Sequence, residues 1–126
     1  MMMADTMDYE AQREQLAEVA MQIILHAGDA RNLVMEALDE AGEGRYQEAE
    51  QKLVDAKEEL RQAHVSQTGV VQSEAAGTRY EYSLLFTHAQ DTVMTIFSEY
   101  NLAKKLIHLY KKTDERIRSL EKHVKE

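Results

Sequence analysis

Cysteine is absent from all 126 residues, which excludes disulfide bridges, thiolate metal sites and cysteine nucleophiles. Proline is absent too, so the residue that most often breaks a helix interior is missing and long helices are open to the chain. Positive charge is scarce: 15 Lys and Arg stand against 23 Asp and Glu, a formal net charge of −8. A general nucleic-acid binder normally presents a basic face, and this balance argues against one. No apolar run approaches the ~18 residues that a membrane span needs. The opening Met1-Met2-Met3-Ala4-Asp5 lacks both the basic region and the apolar core of a secretory signal, so a cytoplasmic location is expected. Glycine loops that cradle phosphate are missing as well, since neither GxxxxGKS/T nor GxGxxG occurs. Alternation of period two and hairpin turn pairs are also lacking, so no strand competes with helix.

Helical periodicity fills the space these absences leave. The length suits one domain with a limited core. Residues 1–8 read as a disordered tail, as unanchored termini usually are. From Tyr9 to Ala41 the apolar positions step by three and four through Leu16, Val19 or Ala20, Ile23, Ala27, Ala30, Val34, Ala37 or Leu38, and Ala41. Gly28 interrupts this stripe and reads as a local kink or a close helix contact. Gly42-Glu43-Gly44 is a stop and a turn. A second helix over 46–71 carries the seam Tyr46, Ala49, Leu53, Ala56, Leu60, Ala63, Gln67, Val70, whose small alanines permit close helix approach. Gly69 and the stretch Ser73–Gly77 weaken or end it.

The third segment, from Thr78 to Lys112 and onward, carries two stripes. One runs Phe86, Ala89, Val93, Ile96, Tyr100, Ala103, Ile107, Tyr110; the other runs Leu84, His88, Asp91, Thr95, Ser98, Leu102, Leu106, Leu109. A surface helix in a monomeric bundle needs a single apolar face. Two faces imply packing against its own subunit and against something else, and oligomerisation through the second stripe follows. Residues 113–126 form a charged extension, helical or frayed, with Ile117, Leu120 and Val124 still at helical spacing. The expected architecture is all-α: three antiparallel helices joined by short turns, spanning 9–112.

Four polar side chains in succession on the second stripe, His88, Asp91, Thr95 and Ser98, are costly on a packing face unless paired or functional. Imidazole is neutral and nucleophilic near neutral pH, so His88 could take up and release a phosphoryl group. Such transfer needs positioning and electrostatic support more than covalent machinery. Asp91 could orient the imidazole from one turn on, gather with its symmetry mates around a cation, or stand in solvent. Two further readings compete. In one, the polar seam only fixes the register of a non-enzymatic helical assembly. In the other, the pairs His26/Asp29 and His88/Asp91 supply a small metal site. Histidine three residues after glutamate, the di-iron bundle pattern, does not occur.

Several ordered blocks across residues 15–112 then resemble one family. They are Ile23-Ile24-Leu25-His26-Ala27-Gly28-Asp29-Ala30-Arg31, Met35-Glu36-Ala37-Leu38, Ala63-His64-Val65-Ser66-Gln67-Thr68, Glu74-Ala75-Ala76-Gly77, and Ser83-Leu84-Leu85 with His88-Ala89-Gln90-Asp91 and Met94-Thr95. The resemblance is to the lactose/cellobiose-type enzyme IIA of the bacterial phosphoenolpyruvate-dependent sugar phosphotransferase system. It implies a three-helix subunit, a homotrimeric nine-helix bundle, and no sugar chemistry of its own. It further implies that His88 accepts phosphate from phospho-HPr and donates it to a cysteine of the cognate IIB, the sugar entering through membrane component IIC. Asp91 would lie at the trimer axis, where three carboxylates can share Mg²⁺ or another divalent cation. Gln90, on the far side of the helix from His88, could support a neighbouring subunit's phosphohistidine through its amide. Family members commonly read Val-His-Ala-Gln-Asp-His-Leu-Met; here Thr87 replaces the valine and Thr92-Val93 replaces the His-Leu pair. The second histidine of that block is therefore missing, while the phosphoacceptor position is intact.

Overall fold

A computed structural model describes the backbone of residues 2–125 and the side chains of residues 9–125. Three helices account for nearly all of it: α1 (Met2–Gly42), α2 (Tyr46–Ala75) and α3 (Leu84–Lys125). The range assigned to a disordered tail, 1–8, falls on residues whose side chains lie outside the described set, and the helix is continuous from Met2. Two glycines set the helix ends. Gly44, at φ +79°, reverses the chain after α1, with Gly44 N–H donating to Ala41 O and Arg45 N–H to Glu40 O. Gly77, at φ +112°, does the same after α2, with Gly77 N–H donating to Glu74 O and Thr78 N–H to Ser73 O. Both are Schellman ends, in which a left-handed residue lets the last carbonyls find donors; an L side chain would be strained there.

The third helix begins six residues later than the periodicity suggests. After Gly77 the chain stays non-helical until Ser83, whose Oγ accepts the Phe86 N–H at 3.1 Å and caps α3. At the other end α3 runs on through the charged extension to Lys125, so that segment is helical.

Ion pairs record the relative directions of the helices. Arg31–Glu99 joins α1 to α3, and Arg13–Glu81, just ahead of α3, has the same spacing of 68 residues, so α1 and α3 run parallel. The Tyr46–Asp114 hydrogen bond ties the start of α2 to the later part of α3, as antiparallel helices require. His26–Glu59 and Lys52–Glu36 step in opposite senses, as antiparallel α1 and α2 require. Between the helices lies a core of Ile23, Val34, Leu53, Leu60, Val93, Ile96 and Ile107 interleaved with ten alanines, among them Ala27, Ala30, Ala56 and Ala103. These are the stripes the periodicity picks out on α1 and α2, and the first stripe on α3. Gly28 contributes no close contact inside the subunit: a Cβ there would meet nothing within 4 Å. No helix among the described residues is long and apolar enough to cross a membrane.

Candidate functional site

The cap at Ser83 fixes where His88 stands. Counting from Leu84, His88 begins the second turn of α3, and helical side chains lean toward the N-terminus, so its ring overlies the first turn. That end of a helix carries partial positive charge from its unpaired N–H groups. The imidazole is exposed. Thr87 and Thr92 do not compete for it, because Thr87 Oγ1 donates to Ser83 O at 3.0 Å and Thr92 Oγ1 donates to His88 O at 2.7 Å.

Asp91 lies one turn further on and is also exposed; Thr95 Oγ1 bonds to its carbonyl oxygen at 2.8 Å, not to its carboxylate. Among the described residues, the side chains of His88 and Asp91 have no hydrogen-bonding partner in their own chain, so Asp91 does not orient the imidazole within one subunit. Gln90 is roughly 200° around the helix from His88. It is half-buried and lines a groove of about 340 Å³ with Leu16, Val70, Glu74, Phe86 and Thr87. The three residues thus face two directions, His88 and Asp91 outward on one stripe and Gln90 toward the α2–α3 connection.

Every member of the second stripe of α3 is exposed in the single chain, with Leu84 73%, Leu102 64%, Leu106 54% and Leu109 60% accessible, while among the described residues no polar or charged side chain is buried. His88 therefore does not interrupt the subunit's own core; it belongs to a face that the described residues of this chain leave open.

The remaining histidines separate cleanly. His26 is partly buried, with Nδ1 2.7 Å from Glu59 Oε2, which explains it as a hydrogen-bonded structural residue. Among the described residues of one chain, no three His, Cys, Asp or Glu side chains gather closely enough to hold a metal, so His26/Asp29 and His88/Asp91 do not combine. One cluster, around Lys104 and Lys111, is not picked out by the sequence reading. With Lys57 and His108 they rim a groove of about 580 Å³ between α2 and α3, floored by Leu53 and Tyr100. The spacing of Lys104, His108 and Lys111 was its visible signal; the contribution of Lys57 from another helix was not visible in any local pattern.

Comparison with known proteins settles the family. The profile described as "PTS system, Lactose/Cellobiose specific IIA subunit" matches residues 18–111. The chain belongs to this family. Its relatives include the lichenan-specific phosphotransferase enzyme IIA component of Bacillus subtilis (strain 168), 43% identical over 102 residues, covering 81% of this chain and 93% of that protein. Among solved structures, the cellobiose-specific enzyme IIA of Bacillus anthracis is 43% identical, with a TM-score of 0.75 over 78% of this chain and 90% of the other. The IIA component for chitobiose of Escherichia coli, determined in complex with HPr, is 32% identical, with a TM-score of 0.70 over 79% and 96% of the two chains. As a IIA subunit of the lactose, cellobiose and chitobiose type, this chain matches the family profile from residue 18 to residue 111. The last turns of α3, from residue 112 to Lys125, lie beyond the matched region.

Proposed function

We propose that this IIA subunit is a phosphocarrier in sugar uptake: His88 accepts a phosphoryl group from phospho-HPr and passes it to the cysteine of a cognate IIB, which serves a membrane IIC. The observation that carries this reading is an exposed imidazole with no partner among the described residues of its own chain, over the first turn of α3, in a IIA chain. A nitrogen of the ring attacks phosphorus as the bond to the donor breaks, and the reverse sequence delivers the group to the IIB thiolate. Little covalent machinery is needed, because such transfer depends on in-line positioning and charge stabilisation. The helix N-terminus favours the added negative charge. The similarity to a IIA component solved with HPr supports that carrier as the donor.

The same reading places three subunits around an axis lined by the exposed stripe of α3, a nine-helix assembly. A parallel C3 arrangement would cover Leu84, Leu102, Leu106 and Leu109 with their counterparts. Asp91 would then stand near two equivalents of itself. One carboxylate per chain makes no metal site, but three free carboxylates supply the hard oxygen donors that Mg²⁺ or another divalent cation takes, and a cation there would neutralise their repulsion. Gln90 would act on a phosphohistidine only across a subunit boundary, since it faces away from the His88 of its own helix.

The test is phosphorylation. Incubation with enzyme I, HPr and phosphoenolpyruvate should add one acid-labile phosphate per subunit. His88→Ala should remove the label while its circular dichroism stays unchanged; full labelling of that variant would take the role from His88.

A further inference from the structure

The second stripe of α3 does not stop where the family-matched region stops. Beyond Leu102, Leu106 and Leu109 it continues through Thr113, Ile117, Leu120 and Val124, in steps of four, three and four, twice over. That is an eleven-residue spacing, the period that keeps one face of a nearly straight helix pointing the same way. Ile117, Leu120 and Val124 are 47%, 65% and 86% exposed. Asp114 is the last residue of α3 held to the body, through the hydrogen bond that Tyr46 Oη donates to its carboxylate at 3.0 Å. After it, 115–125 are all exposed, a helix projecting about 16 Å past the bundle. A lone helical segment of that length is marginal in water, so packing along its apolar stripe is what could sustain it.

Charge along the two flanks indicates what packs there. Roughly 50–90° to one side of the stripe lie Lys105, Lys112, Arg116 and His123; about 90–110° to the other lie Asp114 and Glu121, with Arg118 and Lys125 further round. In a parallel ring the right flank of each helix meets the left flank of the next, so the basic edge would face Glu121 at every boundary, Asp114 being held by Tyr46 and Arg118 of its own chain. A second copy of this chain fits this pattern.

We propose that residues 113–124 of three copies clasp one another in a parallel coil that prolongs the α3 seam beyond the bundle. The proposal rests on the threefold assembly described above, and its failure can be told apart from failure of that assembly. The native chain has no cysteine, so single-cysteine variants report cleanly. Val124→Cys lies on the stripe and Ser119→Cys lies roughly 110° away from it. Under mild oxidation at micromolar concentration, Val124→Cys should form covalent dimers at least about tenfold faster than Ser119→Cys, because the clasp holds its thiols at high effective concentration. In the full chain, amides of 115–125 should exchange slowly. In Ile117→Glu/Leu120→Glu they should exchange as in a free peptide, and the dissociation midpoint should rise about tenfold or more. A full chain that sediments as a trimer while Val124→Cys cross-links no faster than Ser119→Cys overturns the clasp and leaves the assembly standing. A full chain that sediments as a monomer overturns both. Protection of 115–125 only when HPr is added assigns the stripe to that carrier and overturns the clasp.

Discussion

The two long faces of α3 have the same helical spacing and opposite fates. One carries Ala89, Val93, Ile96, Tyr100, Ala103 and Ile107, all buried against α1 and α2. The other carries Leu84, Leu102, Leu106 and Leu109 together with His88, Asp91, Thr95 and Ser98, all exposed. The buried face alternates small with large residues so that neighbouring helices can interdigitate, and it admits no charge. The exposed face is divided along its length: after Leu84 the polar groups lie near the capped N-terminus, and Leu102, Leu106 and Leu109 follow them. Its leucines would give the association surface proposed above, and its polar half would place the proposed phosphoryl acceptor on the same helix that holds the assembly together.

Core packing is the larger energetic term, so breaking it gives the largest expected effect on stability. Ile96→Ala removes a fully buried side chain and should destabilise the subunit by about 2–5 kcal/mol, read by denaturant unfolding. The loss should be visible at every protein concentration. Leu106→Ala on the opposite face removes little that is buried within one chain. Its effect should lie in association: a fall in Tm at low micromolar concentration that disappears as concentration is raised. Equal loss at all concentrations for Leu106→Ala would show that both faces contribute to the stability of the single chain.

Much of this was legible in the sequence because it depends on local periodicity. The seams of α1 and α2 and both stripes of α3 follow from steps of three and four, and Gly44 and Gly77 announce ends that need a left-handed residue. The start of α3 was misplaced because Thr78–Tyr82 carry no strong helix breaker, and only the Ser83 side chain bonding to Phe86 N–H marks the boundary. His88 stood out because titratable groups on a stripe of leucines are unusual. His26–Glu59 and the Lys57–Lys104–Lys111 groove could not be read, because their partners come from different helices and depend on packing register. That the exposed stripe meets further copies of the chain is an expectation from its two-faced periodicity and from the family resemblance, since the contacts within one chain do not name an occupant.

Asp91 sharpens the contrast within the exposed face. If three copies meet on an axis, their carboxylates repel unless a cation is bound. Asp91→Leu should then leave the trimer intact or tighter, and make its stability insensitive to chelator, as seen by sedimentation equilibrium with and without EDTA. A monomer from this substitution would remove Asp91 from the axis.

The smallest expected effect is on the acid side and comes from neither face. Glu40 accepts a hydrogen bond from Arg45 across the α1–α2 turn, and that bond holds its carboxyl below the usual value of 4.5. Arg61 does the same for Glu58 on α2. A carboxyl with a lowered folded pKa gives stability that is fully present above its unfolded pKa and is lost as pH falls through the folded value. Glu58 is exposed and Glu40 partly so, and both pairs lie at the surface where solvent screens them, so the loss should be small and weaker in high salt. Glu40→Gln should therefore flatten the fall in Tm between about pH 6 and about pH 3 without altering its dependence on protein concentration. That independence is the point of the measurement. The turn belongs to the single chain, so an acid transition that shifted with concentration in the wild type but not in Leu106→Ala would come from the exposed face of α3 and not from Glu40.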